Sequence, residues 1–407
     1  MELIYILLIL LTLSRVAAEI AERLGQAPLV GELIAGVGLG ILAHQQADSL
    51  PILSGLSENE IFTGISDLAI FFLMMLAGME LRPKDMASAG GRASSIAIGG
   101  MLIPVAAGVG LAWLYIPQSE YWFAQSIFLA VALAITAVPV AVRVLMDLDQ
   151  LDTEMGRTVV SAAVIDDALS LVLLGILTAI LASGALPDVG EILTIIGQTI
   201  AFFIIAVIIG QYVFPRLGGL LQRLHIEESG FSMLLIAALA YAMLAEALGV
   251  HFILGAFLAG LFFGRRRVLQ EDHGAVEDQV KGITAGFFAP VFFAGIGMHL
   301  SGAALLAVPG FVLVLITAAI LSKLIGAGVA ARMCGMNSRD SLSVGVAMSS
   351  RGAVELVIAD IALRAGLFDV PEPPPVIVEY LFSAVVIMAI TTTVLAPLIL
   401  RILTPRS

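Results

Sequence analysis

The sequence predicts an all-α polytopic membrane protein of about thirteen transmembrane helices, arranged as an inverted repeat with two discontinuous crossing helices. Three observations carry that expectation. The chain of 407 residues is 60% hydrophobic and only 13% charged, where a soluble domain is about 45–50% apolar and about 25% charged. Apolar stretches long enough to cross a bilayer recur from end to end, separated by short polar breaks. Two of those stretches in the first half return in the second half at a fixed spacing.

Hydropathy places spans at about 1–20, 28–44, 61–81, 91–116, 122–146, 156–182, 190–214, 230–248, 251–264, 281–300, 302–333, 339–365 and 376–402. The first, "MELIYILLILLTLSRVAAEI", has the look of a leader. Its start carries Glu2 and no base, so it is expected to stay as a span. Loops after odd-numbered spans hold sixteen of the twenty basic residues, including Arg23, Arg82, Lys84, Arg92, Arg143, Arg157, Arg216, Arg223, the run Arg265-Arg266-Arg267, and Arg406. Arg364 alone lies on the other side, and Arg15, Lys323 and Arg351 fall within spans. Basic loops stay in the cytoplasm. The amino terminus is therefore expected outside and the carboxyl terminus inside, which requires an odd number of spans.

"LVGELIAGVGLG" (29–40) matches "ILGAFLAGLFFG" (253–264), with Gly31, Ala35, Gly36 and Gly40 aligned to Gly255, Ala259, Gly260 and Gly264 at an offset of 224. In the next spans "LAGMEL" (76–81) matches "AGIGMHL" (294–300), aligning Gly78-Met79 with Gly297-Met298. Small-residue patterns recur wherever membrane helices pack. Two matches in successive spans, both seven spans apart, are a stronger sign. Seven is odd, so the copies cross the membrane in opposite directions, as in many secondary transporters.

The same offset pairs span 5 with span 12. Span 5 contains "ALAITAVPVAVRVL" (132–145), interrupted around Thr136 and Pro139, and span 12 contains "GVAMSSRGAVELVI" (345–358), interrupted at Ser349, Ser350, Arg351 and Gly352. A broken helix exposes unpaired amides and carbonyls, which the bilayer tolerates only where they line a polar cavity. Interrupted segments at matching positions in two halves point to a binding site.

Charges inside the spans converge on the same region. Asp166 and Asp167 stand side by side in "SAAVIDDALSLVLL" of span 6, Lys323 lies in span 11, and Arg351 and Glu355 lie in span 12. An acid at the centre of a membrane helix costs about 2.5–3.5 kcal/mol on insertion scales. Helix neighbours point about 100° apart, so one aspartate can meet a partner helix while the other faces a cavity. Lys323 is the expected counter-ion of Asp166. Arg351 and Glu355, at i and i+4, are expected to form an ion pair holding the core together. One lysine cannot neutralise two acids, so the remaining carboxylate must hold a proton or a cation, and that competition is a mechanism of exchange. Thr136 is expected to add oxygen ligands beside the break. Glu32 and Glu246 are expected at helix ends or interfaces, while Asp67, Glu80, Asp360 and His299 lie nearer span ends, within reach of water.

The net charge of −12 leaves no basic surface for nucleic acid. A single cysteine, Cys334, excludes an intramolecular disulfide, and the five histidines are not paired at metal-ligand spacing. No cofactor motif is present, and neither an HExxH metal motif nor a nucleophile–base pair suggests an enzyme.

With "VIDDALSLVLL", "ITAVPVAVRVL", Lys323 and "SSRGAVEL" in order along the chain, the sequence resembles the bacterial cation:proton antiporter-2 family of Na+/H+ and K+/H+ exchangers, in its double-aspartate type. The resemblance covers essentially the whole membrane region. It implies that Asp166 and Asp167 bind the transported cation and protons, and that the protein is a homodimer in the cell inner (plasma) membrane. Residues 1–90 and 230–301 would form the dimer scaffold, 91–189 and 302–407 a mobile ion-carrying core, and 190–229 a linking helix. Transport would be elevator-like, and members with two aspartates exchange two protons for one Na+. Potassium-efflux relatives carry glutamine where Asp166 stands, and a cytoplasmic nucleotide-binding domain after the membrane region. This sequence ends at "RILTPRS", which leaves both the absence and the removal of such a domain open.

The function expected is electrogenic Na+/H+ antiport, with Li+ or K+ as other cargoes and the lipid bilayer and a second copy of the chain as partners. K+/H+ exchange is the alternative within transporters. A ligand-gated channel or sensor on the same fold would not need a Lys323–Asp166 pair that loads and unloads protons. An organic-anion symporter would be repelled by two central carboxylates.

Overall fold

A computed structural model of the protein describes residues 2–45, 60–80, 90–136, 142, 145, 146, 150, 151, 153–183, 189–212, 229–265 and 273–404. Pro139, Arg82, Lys84, Arg143, Arg216, Arg223, Arg266, Arg267 and Arg406 lie outside the described residues. Among those described, every regular element is a helix: α1 (Glu2–Arg23), α2 (Pro28–Gln45), α3 (Glu60–Glu80), α4 (Gly91–Tyr115), α5 (Trp122–Ala134), α6 (Glu154–Ser183), α7 (Val189–Tyr212), α8 (Ser229–Ala247) and α9 (Phe252–Arg265). Helix α10 runs through His273–Ile283, a π-helical segment Thr284–Phe288 and Ala289–His299. Helix α11 runs through Pro309–Lys323, a second π segment Leu324–Val329 and Ala330–Met333. Then come α12 (Ser338–Ala347), α13 (Ala353–Arg364) and α14 (Leu381–Leu403).

Eight of the described helices are long and apolar enough to cross a membrane, and four shorter apolar stretches accompany them. Large apolar side chains such as Leu8, Leu102, Trp113, Leu313 and Ile402 project outward, while Asp166, Lys323, Arg351 and Glu355 are fully buried. This inversion of the soluble pattern follows from the solvent: lipid accepts leucine on the outside, and polar groups must satisfy one another inside.

Helices without a hydrophobic drive between them associate by close packing of small residues, and glycines set the contacts here. A Cβ at Gly31 would strike the backbone of Ala17 and Ala18, and one at Gly255 would strike Tyr241 and Ala242. Gly36 lies against the carbonyl of Ala294, and Gly260 against that of Met75. Gly78 meets Phe257 and Leu261, as Gly297 meets Leu33 and Val37. Every contact in the first set has its counterpart at the offsets read from the sequence, 224 for α1–α2 against α8–α9 and 219 for α3 against α10. Helix α2 thus packs on α10, and α3 on α9.

A second group of helices, α4 to α6 and α11 to α14, encloses the charged residues. Helices α4 and α11 cross where Gly99 and Gly326 touch through their backbones, and a side chain at either would collide with the other's carbonyl. The twelfth expected span is two helices: α12 stops at Ala347 and α13 starts at Ala353, with 348–352 non-helical. In the fifth, α5 ends at Ala134, and Ile135 and Thr136 continue without helical structure.

Candidate functional site

Helix α6 runs without a proline from Glu154 to Ser183 and opens on Thr153, whose hydroxyl accepts from the Gly156 amide at 3.0 Å, an N-terminal cap. Twelve residues in, it delivers Asp166 to the interior. Lys323, at the end of the first part of α11, places Nζ 3.2 Å from Asp166 Oδ2 and 3.4 Å from Oδ1. Both side chains are 0% exposed. The π segment of α11 starts at the next residue, Leu324. A π turn is rare and is found frequently at functional sites. Asp167, the residue after Asp166, is only partly buried. Among the described residues it has neither a hydrogen bond nor an ion-pair partner.

The two breaks meet beside this pair. Thr136, almost wholly buried, donates its hydroxyl to the carbonyl of Met348 at 3.0 Å, so the interruption after α5 is tied directly to that after α12. Arg351 donates to the carbonyls of Ala132 at 2.9 Å and Leu133 at 2.7 Å, and also to that of Ile135. The last carbonyls of a helix have no partner within it. A guanidinium carries five donors in a fixed fork, so one buried arginine closes the end of α5 and neutralises its negative pole. Glu355 sits in the first turn of α13, at a positive pole, with Oε2 3.7 Å from Arg351 Nε. The expected Arg351–Glu355 contact is thus long, and the carbonyls of α5 are the arginine's principal partners.

Sequence reading missed Thr393 of α14, whose hydroxyl donates to the Arg351 carbonyl at 3.0 Å. Ser349 and Ser350, expected at the interruption of span 12, lie in the turn after α12 and donate back to Val346 and Ala347 at 2.7 and 2.9 Å. A buried hydroxyl near a chain break was the available signal. Away from the centre, Glu32 is buried 3.8 Å from Arg15. Asp360, expected to reach water, is instead buried and paired at 2.7 Å with Arg364, one turn on along α13.

Chemically, the aspartate pair offers one carboxylate bound to a lysine and one without a partner among the described residues, while Glu355, buried beside Arg351, has neither oxygen hydrogen-bonded among them. Lysine has only donors and Asp166 only acceptors when both are charged, so their pairing is complete. Asp167 keeps its acceptor sites free, and a carboxylate oxygen is the ligand that hard cations and protons share. Polar groups gathered at broken helices inside a lipid-facing bundle define a secondary ion transporter. A family model described as "Sodium/hydrogen exchanger, transmembrane" matches residues 6–405, and the chain belongs to that family. It is a cation:proton antiporter by membership, and not an enzyme.

The chain is 31% identical over 401 residues to the Na(+)/H(+)-K(+) antiporter GerN of Bacillus cereus, covering 98% of this chain and 96% of that protein. It is 28% identical over 406 residues to a Na(+)/H(+) antiporter of Enterococcus hirae, covering 100% and 99%. Its fold is similar to that of the sodium proton antiporter MjNhaP1 from Methanocaldococcus jannaschii, with a TM-score of 0.75 over 98% of this chain and 97% of that one at 16% identity.

Proposed function

We propose that the protein exchanges Na+ for protons electrogenically, with Asp167 as the principal cation ligand, Asp166 and Thr136 beside it, and Lys323 as a second proton carrier. The observation that carries this reading is the asymmetry of the aspartate pair: Asp166 is bound to Lys323, and Asp167 has no partner among the described residues. In the proton-loaded state Asp167 holds a proton, and Asp166 and Lys323 are ionised, so the three groups sum to zero. When Na+ binds at Asp167 and draws Asp166 towards it, the bridge opens and Lys323 releases its proton. The three groups plus Na+ then sum to minus one. Two protons leave as one Na+ enters the site, and the membrane potential acts on the difference.

Residues 91–189 and 302–407 would carry this site as a rigid core past a scaffold of 1–90 and 230–301, in a homodimer of the inner membrane with its carboxyl terminus in the cytoplasm. The even contacts of the repeat glycines support two structurally equivalent halves around such a site. The cations named for the relatives support Na+ first, and the Na(+)/H(+)-K(+) antiporter GerN supports K+ as a second cation. The test is reconstitution into proteoliposomes with internal pH followed on addition of Na+, Li+ or K+. Na+-driven proton flux is expected, and Asp167→Asn should abolish it while leaving a folded protein. Undiminished flux in Asp167→Asn would remove the assignment.

A further inference from the structure

A second ionic cluster lies at the other end of α13 from the broken centre. Arg364, the last residue of α13, donates Nη1 to Asp67 Oδ1 of α3 at 2.6 Å. Its Nε lies 2.7 Å from Asp360 Oδ2, one turn back on its own helix. The arginine therefore joins two bodies: α13, which begins at the Arg351–Glu355 break, and α3, which packs on α9 through Gly78 and Gly260. A cavity of about 210 Å³ opens beside it, lined by Thr63, Ser66, Gly295, His299, Asp360 and Arg364. His299, at the end of α10, is held by the Gly295 carbonyl at 2.9 Å.

We propose that the Arg364–Asp67 pair is a latch that closes the path between core and scaffold on this side of the membrane, and that it must part for the aspartate site to reach that side. The inference rests on the moving-core reading above. Its two bonds differ in a way that suits the role. Asp360 is only 6% exposed and keeps the guanidinium on the core at every stage. Asp67 is half exposed, at 50% of its side chain, and ion pairs of that exposure are weak. A half-exposed pair between bodies beside a buried ion pair within one body lets the arginine stay with α13 when α3 is left behind. A pin joining two static helices would gain nothing from that inequality. By the distribution of basic loops, this is the outer side, since Arg364 is the one base expected there.

The test uses Ser66, at the floor of the cavity and 4% exposed, as a reporter. In right-side-out membrane vesicles, a Ser66→Cys protein carrying Cys334→Ala is treated with a membrane-impermeant maleimide. Adding Asp67→Asn should raise the labelling rate about two- to five-fold, the shift that a pair this exposed can hold. Asp67→Glu should bring the rate back towards the starting value. Equal rates for Asp67 and Asp67→Asn would overturn the latch. Separately, Asp67→Cys/Arg364→Cys, again with Cys334→Ala, is bridged with a reducible bis-thiosulfonate reagent. Bridging should stop Na+-dependent proton flux, and reduction should restore it. Full flux in bridged protein would show that the contact need not open. If the unmodified protein shows no Na+-dependent proton flux while Asp67→Asn still speeds labelling, the exchange reading fails and the latch stands.

Discussion

Lys323→Gln tests the energetic core of the site. Lys323 and Asp166 are both 0% exposed and 3.2 Å apart, so neither has water to fall back on when the other is removed. Removing one partner of such a buried pair costs about 3–5 kcal/mol, chiefly through the charge left behind. Lys323→Gln and Asp166→Asn should therefore each lower unfolding stability by about that amount. Lys323→Gln/Asp166→Asn leaves two neutral amide groups and no orphaned charge. It should lose less than the sum of the single losses, with a coupling of about 0.5–3 kcal/mol. The assay is equilibrium unfolding of purified protein in detergent, in Na+-free buffer, for all four members of the cycle. Additivity within about 0.5 kcal/mol would mean the two groups do not sense each other, and the bridge would lose its place in the account. Recovery of stability need not recover transport: the double variant lacks the proposed second proton carrier and should exchange no ions electrogenically.

On the proposed competition of a proton and Na+ for the Asp167 carboxylate, the KM for Na+ should rise as pH falls; a KM that is flat between about pH 6 and 9, a range above the usual carboxylate values, would rule out simple competition. Arg351→Gln should destabilise the protein by about 1–3 kcal/mol for each α5 carbonyl left unpaired; unchanged thermal unfolding would show that the arginine does not close the end of α5.

Much of this architecture was legible because the bilayer forces it. Uninterrupted apolar runs could only be helices, and the glycine pattern at 29–40 and 253–264 could be matched by offset alone. The structure then placed Gly36 on Ala294 and Gly260 on Met75 at those same offsets. The Asp166–Lys323 contact could be anticipated because two buried opposite charges have few other options. What sequence reasoning could not supply was the third dimension of the breaks. That Arg351 would serve the carbonyls of Ala132 and Leu133 more closely than Glu355 depends on how α5 crosses the segment after α12, and no local pattern encodes that crossing. Asp360 was misjudged for a related reason. Distance along a span says how near a residue is to the membrane surface, but not whether a neighbouring helix covers it.

The central claim is that two protons are exchanged for one Na+ through Asp167 and the Asp166–Lys323 pair. The most direct test is the membrane voltage at which flux vanishes in proteoliposomes with fixed pH and Na+ gradients. Exchange of two for one places that null voltage at twice the proton term minus the sodium term, so it moves with either gradient, and Lys323→Gln should abolish the flux or make it insensitive to voltage. Flux in the unmodified protein that depends on the two gradients alone and has no null voltage would contradict the account.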